Sequence, residues 1–569
     1  MTSAPHLRVF VFACKRTGRD TYVLYGRRGS GDAATLRLTL PATYLTTRED
    51  DANDSCAATM RRTCVRSHDV VELYSTDARA TDARDGYNSM FDAVHKLCAR
   101  YQAPPVGWWH LRGVPLPQCS APAPPMRTLV FDIEVVPPAD GSFPQARRDG
   151  SAASGDPVCV ISCGIMNDAL QPKADNAFGL RRTFVVGSVD VERAGQHVTS
   201  HATENELLDA FCLWLARQDV HVVSGWNVDL FDVPYLCDRS AAVARAFGAE
   251  RDKQPRKGSP TWRLRGRMVC VDLLALWRLQ FRETSFKLEA VAQKYLHRGK
   301  AGVKYSDIRE LAGSALGRLR LVHYCDEDCE LTRALCSDVG DNFKTSIMVA
   351  QEARVWLCDA VGGQSKKCLS LFYHYCEARG FAIPDAPSPT PTEDGYQGAL
   401  VLEPKIGRHA SVAVLDFESL YPSIIRGWNV CVSTLRTRAT VADAQRLLPR
   451  LPQKAAASVL AFLGDRAGAA CVPPADPLRY NRIGCVYFLK ASERVGVLPQ
   501  LLADLHRRRK LQKQLKKDAT CAIERANADA RQLAMYARCC TASPRCALCA
   551  PPDSHAVFCF ACSRAASFR

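Results

Sequence analysis

Between Arg127 and Glu134 an apolar, β-branched run, Arg-Thr-Leu-Val-Phe-Asp-Ile-Glu, carries two carboxylates two residues apart. Such a run suits a strand, and on a strand Asp132 and Glu134 project from one face. Two acids on one face repel unless something positive lies between them, and a divalent cation with its preference for hard oxygen ligands suits that place. A solvated strand edge would account for the pair as well. The chain around the run alternates strand and helix patterns: residues 158–165 read as a partner strand, 204–215 have helical spacing, and 220–225 form a further short strand. That alternation predicts an α/β sheet.

Two more acidic groups follow. The segment Gly225-Trp226-Asn227-Val228-Asp229-Leu230-Phe231-Asp232 lies just past a strand, and Asp232 is placed either to join a metal site or to cap a helix opening at Val233-Pro234. In His323-Tyr324-Cys325-Asp326-Glu327-Asp328-Cys329, which has helical character, Tyr324 and Asp328 stand four apart and share a face. A phenol beside a carboxylate could orient a metal-activated water; an exposed acidic turn is the plainer account.

At 569 residues, 47% of them apolar, the chain has material for about three to five domains. Its net charge of +16 favours a polyanionic partner. The 26 cysteines occur without an export signal and so read as reduced thiols rather than a disulfide scaffold. No apolar run approaches the roughly 20 residues of a membrane helix, and the amino-terminal Met-Thr-Ser-Ala-Pro has no secretory pattern. The expectation is a soluble intracellular protein with no membrane partner.

Taken in order, Phe131-Asp132-Ile133-Glu134, Asn227-x-x-x-Phe231-Asp232 and Tyr324-x-x-x-Asp328 resemble the 3′-to-5′ exonuclease domain of family B DNA polymerases. Gly266-Arg267, Asp272 and Lys287-Leu288 fall where that family has similar residues. The resemblance implies that Asp132, Glu134, Asp232 and Asp328 hold two Mg2+ or Mn2+ ions and that Tyr324 helps position the attacking water.

Further on, Val414-Leu415-Asp416-Phe417-Glu418-Ser419-Leu420-Tyr421-Pro422-Ser423 looks like the family's first palm motif, in an acid-bearing strand expected over 411–417. The likeness implies that Asp416 is a catalytic metal ligand, that Ser419 and Leu420 lie at a dNTP triphosphate, and that Tyr421 blocks a ribose 2′-hydroxyl. Tyr396 and Gly398 are similar to a family segment contacting template DNA, and Gly363-Gln364-Ser365-Lys366 echoes a family loop. Residues 496–535 read as a helical pair opened by Gly496 and Pro499, with Leu498, Leu501, Leu502 and Leu505 forming a packed stripe. Arg509, Lys513 and Lys516 recur at helical spacing, which a solvated basic face would also show; by resemblance this is a fingers helix, with Arg509 and Lys513 on the triphosphate. Asn429-x-Cys431-x-Ser433-Thr434-Leu435 fits the delta-like enzymes of large double-stranded DNA viruses, herpesviruses and phycodnaviruses among them.

The likeness stops after Met535, inside the second fingers helix that Ala530-Arg531-Gln532-Leu533-Ala534-Met535 begins. No Tyr-Gly-Asp-Thr-Asp segment follows, and one palm acid cannot organise a two-metal site. A frameshift or unspliced intron is the expected explanation. A Zn2+ knuckle from Cys546, Cys549, Cys559 and Cys562 and a set of free thiols are the alternatives.

The resulting division is an amino-terminal domain at 1–125, the RNase H-like exonuclease at 126–345, linker helices at 346–395, a partial palm at 396–490, partial fingers at 491–538 and a Cys-rich tail at 539–569. Proline-rich 115–125 reads as a linker, as does 388–392, and 251–257 as a basic loop. The expected class is thus α/β multidomain, with a mixed α+β amino-terminal part and incomplete palm and fingers. The implied function is template-directed DNA synthesis with proofreading on template-primer DNA, with a sliding clamp or processivity factor as a further partner, in the host nucleus or at a viral replication site. An exonuclease acting alone on single-stranded 3′ ends, and a non-enzymatic DNA-binding or zinc-dependent interaction protein, are the alternatives.

Overall fold

The computed structural model describes residues 8–519 apart from 18–20, 29, 31, 41, 47–56, 65–68, 76–90, 118–122, 125, 148–154, 167–177, 254–259, 265, 282, 300–301, 340–341, 362–363, 384–402, 404, 414–419, 432, 436–476 and 484–485. The chain divides into two units: Met1–Leu40, Ala103–Gly363 and Gln512–Met535 form one; Pro41–Gln102, Gln364–Leu511 and Tyr536–Arg569 form the other.

The first unit opens with a five-stranded sheet in the order Ala33–Thr39, Thr21–Arg27, Arg8–Arg16, Gly107–His110, Val114–Pro115. Pro115, read from sequence as the start of a linker, instead pairs with Trp109. It does so on an edge strand, where a residue lacking an amide hydrogen costs no ladder bond. Arg251 likewise ends a short strand, Ala249–Arg251, paired with Trp262–Leu264, rather than opening a loop.

The unit's central sheet is six-stranded. Its strands, in chain order, are β1 (Thr128–Val135), β2 (Val158–Met166), β3 (Leu180–Val186), β4 (Val198–His201), β5 (Val222–Ser224) and β6 (Val269–Cys270), arranged β4-β3-β2-β1-β5-β6. β1 pairs antiparallel with β2 and parallel with β5. Every residue of β2 is buried, as befits a strand covered by helices on both faces. One face carries Phe131 and Ile133, which pack with Leu207, Phe211 and Leu215 of α1 (Glu204–Ala216) and with Phe247. Helix α2 (Asp232–Arg239) follows β5, and α3 (Leu273–Gln280) follows β6. The opposite face carries Val160 and Val185, which pack with Leu321, Val322 and Cys325 of α4 (Ala315–Ala334). Since Val160 is the cross-strand partner of Glu134 and Ser162 that of Asp132, both acids lie on the face that α4 covers.

The second unit includes the helix Ala93–Arg100, α5 (Gln364–Glu377), α6 (Leu420–Gly427) and α7 (Val497–Asp518) up to Leu511, with a hairpin of β7 (Tyr480–Ile483) and β8 (Val486–Leu489). Phe372, Tyr373, Cys376, Ile425, Val497 and Leu498 lie in one core with Leu501 and Leu502, and Leu505 packs against it, so the leucine stripe read from the sequence faces inward. The Asn429-x-Cys431-x-Ser433 spacing anchors the start of α7. Asn429 Oδ1 accepts from the Gly496 amide at 2.8 Å, Ser433 Oγ from Val497 at 3.1 Å and Cys431 Sγ from Leu498 at 3.3 Å. These three side chains satisfy amides that a helix start leaves open. The approach is close enough to demand glycine at 496, where a Cβ would come within 2.7 Å of Cys431 Cβ. The expected strand over 411–417, the second fingers helix and the linker at 388–392 lie wholly or largely outside the described residues, and among those described no helix is long and apolar enough to cross a membrane.

Candidate active site

The period of two along β1 brings Asp132 and Glu134 together, and α4 adds a third donor. Carboxylate oxygens of both acids and the sulfur of Cys325 all lie within 4.8 Å of one another. The thiol also stands 3.5 Å from the Asp132 carbonyl and 3.7 Å from Asp132 Oδ2. Burial, and then the charge of Asp132, raise the Cys325 thiol well above its ordinary value, so it is a hydrogen-bond donor to these oxygens.

Asp232 arrives from the other side. It is the first residue of α2, and the helix has no side-chain cap: Asp232 Oδ1 instead accepts from the amide of Ile133, 3.3 Å away and between the two β1 acids. The capping role weighed from sequence is therefore not the one it plays. Asp232 is 3% exposed, and burial raises its carboxyl to about 7, with the charges of Asp272 and Asp328 adding to the effect.

The turn that delivers Asp232 is fixed by Asp272, the residue capping α3. Its carboxylate accepts from the amides of Asn227 at 3.2 Å and Asp229 at 3.0 Å, as well as from Ala275 in its own helix at 3.2 Å. Asn227 has φ of 71°, a left-handed conformation that asparagine tolerates. Asp229, half-buried beside Asp272, is raised to about 6, by desolvation first and then by that neighbour's charge.

Helix α4 supplies the remaining groups. Tyr324 is half-buried and Asp328 is 4% exposed, one turn apart. Asp328 is close enough to act on the charge of Asp232. Between them, Asp326 turns to the sheet. Ser162 Oγ and Thr183 Oγ1 donate to its Oδ1 at 2.5 and 2.6 Å, and His197 Nε2 lies 2.8 Å from its Oδ2. Burial opposes charge on Asp326, but these hydrogen bonds, that of His197 foremost, hold its carboxyl below the ordinary value. Cys329 adds a thiol hydrogen bond to the Ser162 carbonyl at 3.2 Å. α4 is thus pinned to β2 and β3 through the residues that alternate with Tyr324 and Asp328.

Asp132, Glu134 and Asp232 therefore meet around Ile133, with Cys325 of α4 against the two β1 acids and Asp328 of α4 near Asp232; Tyr324 lies one turn before Asp328 on the same helix. Sequence reading gave no part to Cys325, Asp229 or Asp326. For Cys325 and Asp326, the available signal was their position inside the Tyr324-to-Asp328 turn. Of the candidates beyond residue 345, Leu420 and Tyr421 open α6, and Arg509 and Lys513 stand one turn apart on α7, with Lys513 exposed. Tyr396, Gly398, Asp416, Ser419, Cys546, Cys549, Cys559 and Cys562 lie outside the described residues.

The arrangement is chemically suited to a divalent cation. Oxygen donors converge, and a carboxyl raised to about 7 in a cluster of acids is one that a nearby cation would bring back to its ionised form.

Residues 110–291 match the family described as DNA polymerase family B, exonuclease domain, and residues 356–541 match DNA polymerase family B. Tyr324 and Asp328 lie between the two matched stretches. Among curated proteins, the DNA polymerase delta catalytic subunit of Drosophila melanogaster is 28% identical over 438 residues, which cover 72% of this chain and 36% of that protein. The DNA polymerase catalytic subunit of Epstein-Barr virus (strain B95-8) is 29% identical over 73% of this chain and 39% of its own length. That of Rhesus cytomegalovirus (strain 68-1) is 30% identical over 55% of this chain and 32% of its own. The matches thus span 32 to 39% of the length of these three relatives.

Proposed function

This chain belongs to family B of the DNA polymerases, and on that premise we propose that its first unit removes nucleotides one at a time from single-stranded 3′ ends of DNA. The observation that carries this is the seating of the Asp232 carboxylate on the Ile133 amide, between Asp132 and Glu134. Asp132, Glu134, Asp232 and Asp328 would hold two Mg2+ or Mn2+ ions. Such ions, when bound, supply a water of lowered pKa and neutralise charge on the phosphate. Tyr324, half-buried on α4 one turn before Asp328, would help position the attacking water. The water oxygen bonds to phosphorus, the bond from phosphorus to the 3′ oxygen breaks, and that oxygen takes a proton as the mononucleotide leaves. Asp272 and Asp326 hold the turn and the helix that carry the ligands.

The test is digestion of a 5′-labelled single-stranded oligonucleotide by the purified chain with Mg2+. The expected outcome is stepwise shortening that disappears in Asp132→Ala; digestion unchanged by that substitution would overturn the reading.

For residues 396–538 the same family membership supports a part in template-directed nucleotidyl transfer, a reaction for which this chain carries one palm acid. Asp416 would be a metal ligand, Ser419, Leu420 and Tyr421 would meet the incoming dNTP, Arg509 and Lys513 its triphosphate, and Tyr396 and Gly398 the template. With a single palm acid the 569-residue chain should not extend a primer, and measurable extension that is lost in Asp416→Ala would overturn this. A sliding clamp or processivity factor, and action in the nucleus or at a viral replication site, belong to this proposal too.

A further inference from the structure

Within the second unit a cavity of about 420 Å³ opens between the end of α6 and the first turns of α7, and three arginines line it: Arg379, Arg426 and Arg507. The only acid on its wall is Asp504, which is ion-paired with Arg507, so three guanidiniums and one carboxylate leave two positive charges. Arg379 is oriented without being neutralised: it donates to Gln500 Oε1 at 3.0 Å and to the Tyr375 carbonyl at 3.2 Å, and its guanidinium lies 3.8 Å from the centre of the Tyr375 ring. Arg426, exposed on the last turn of α6, has no ion-pair partner among the described residues. The amides at the start of α7 are already taken by Asn429, Ser433 and Cys431, so the guanidiniums alone present charge to a ligand here. Val495, Pro499 and Ala503 give the cavity an apolar side.

We propose that this cavity is a binding site for the phosphate of a nucleotide unit, with the arginines on the phosphate oxygens and the apolar side against the base or sugar. Planar guanidiniums match phosphate geometry through paired hydrogen bonds, and the volume suits one nucleotide rather than a duplex. The site differs from the triphosphate position assigned above to Arg509 and Lys513. Arg507 precedes Arg509 by two residues and so points about 200° away around α7. The proposal goes beyond the nuclease reading and does not depend on it.

The experiment uses the full chain in EDTA, so that no cation-dependent cleavage enters. Binding of a fluorescein-labelled oligothymidylate is followed by anisotropy for the native protein, Arg426→Gln, Arg379→Gln and Arg426→Lys. Arg193→Gln, which removes an exposed charge from the first unit, is the control. The expected result is about tenfold weaker binding for Arg426→Gln and Arg379→Gln, with partial recovery in Arg426→Lys. The slope of log affinity against log salt should fall by about 0.7 for each arginine removed. Competition by dAMP identifies the source of the phosphate. If dAMP displaces the Arg426-dependent part, the site takes free nucleotides; if only unlabelled oligonucleotide does, it takes a strand; either supports the site. Losses no larger than that of Arg193→Gln in both glutamine variants would overturn it.

Discussion

The amide of Ile133 donates to Oδ1 of Asp232 across 99 residues of sequence, at 3.3 Å. A strand residue that contributes an apolar side chain to one face of the sheet thereby uses its backbone to seat an acid beside the two carboxylates of the other. Hydrogen bonding and charge can be separated at this position, because asparagine keeps the accepting oxygen and loses the charge.

Asp232→Asn should fold with a melting temperature at least equal to that of the native chain at neutral pH in EDTA, since it removes a buried charge that its neighbours oppose. Nuclease activity in Mg2+ should nevertheless fall to background. Asp232→Ala should lose activity equally and melt lower, because the Ile133 amide then has no acceptor, at a cost of about 1 to 3 kcal/mol. Thermal unfolding with a digestion assay distinguishes these; an active Asp232→Asn would exclude a charged role for the group.

Asp272 acts one step further out. Its carboxylate ties the Asn227 and Asp229 amides to the cap of α3, so its removal frees the turn that delivers Asp232. Asp272→Ala should reduce the nuclease rate about 10 to 100-fold, the range typical of groups that orient metal ligands. The Mg2+ concentration for half-maximal rate should rise with it. An unchanged Mg2+ dependence would mean that the turn holds its shape without Asp272.

What was legible in the sequence follows the range of the interactions. Asp132 with Glu134, and Tyr324 with Asp328, obey local periods of two and four, so a single segment reveals that they share a face. The strand at residues 158–165 and the helix at 204–215 were legible for the same reason and appear as Val158–Met166 and Glu204–Ala216. Asp232 reads locally as a helix cap, the near option for an acid before Val-Pro, and as a metal ligand only through the resemblance; its partner comes from a strand 99 residues earlier, which no window contains. Asp326 carries no local signal for the same cause, its three partners lying on three different stretches of chain. Pro115 reads as a linker because proline breaks a ladder in general, whereas at an edge it does not.

Asp326 yields a stability prediction as well as a functional one. Its carboxylate gathers Ser162, Thr183 and His197, so Asp326→Ala leaves two hydroxyls and a ring nitrogen without their acceptor. The expected loss is about 2 to 4 kcal/mol by denaturant unfolding. In a double-mutant cycle Thr183→Val should cost much less when Asp326 is already alanine. Additive losses would mean that the contact contributes no coupling.

The last prediction concerns pH, and its sign follows from the direction in which the acids move. Burial and the neighbouring charges raise Asp232 from an ordinary 3.8 to about 7 and Asp229 to about 6, so the folded chain binds these protons more tightly than the unfolded chain does. A group raised on folding contributes stability that is full below its unfolded value and is lost as pH climbs through the folded one. In EDTA these two groups should therefore lower the melting temperature as pH climbs from about 4 to about 7. Asp232→Asn should make the decline shallower, and its curve should approach the native one at the acid end. A cation favours the ionised carboxylates, so Mg2+ should flatten the native curve while leaving that of Asp232→Asn less affected. The nuclease rate should rise with pH over the same interval, and its midpoint should move to lower pH as Mg2+ increases. In EDTA a native curve parallel to that of Asp232→Asn from about pH 4 to about pH 7, or a midpoint indifferent to Mg2+, would mean that the acids around β1 are not competing between protons and a shared cation.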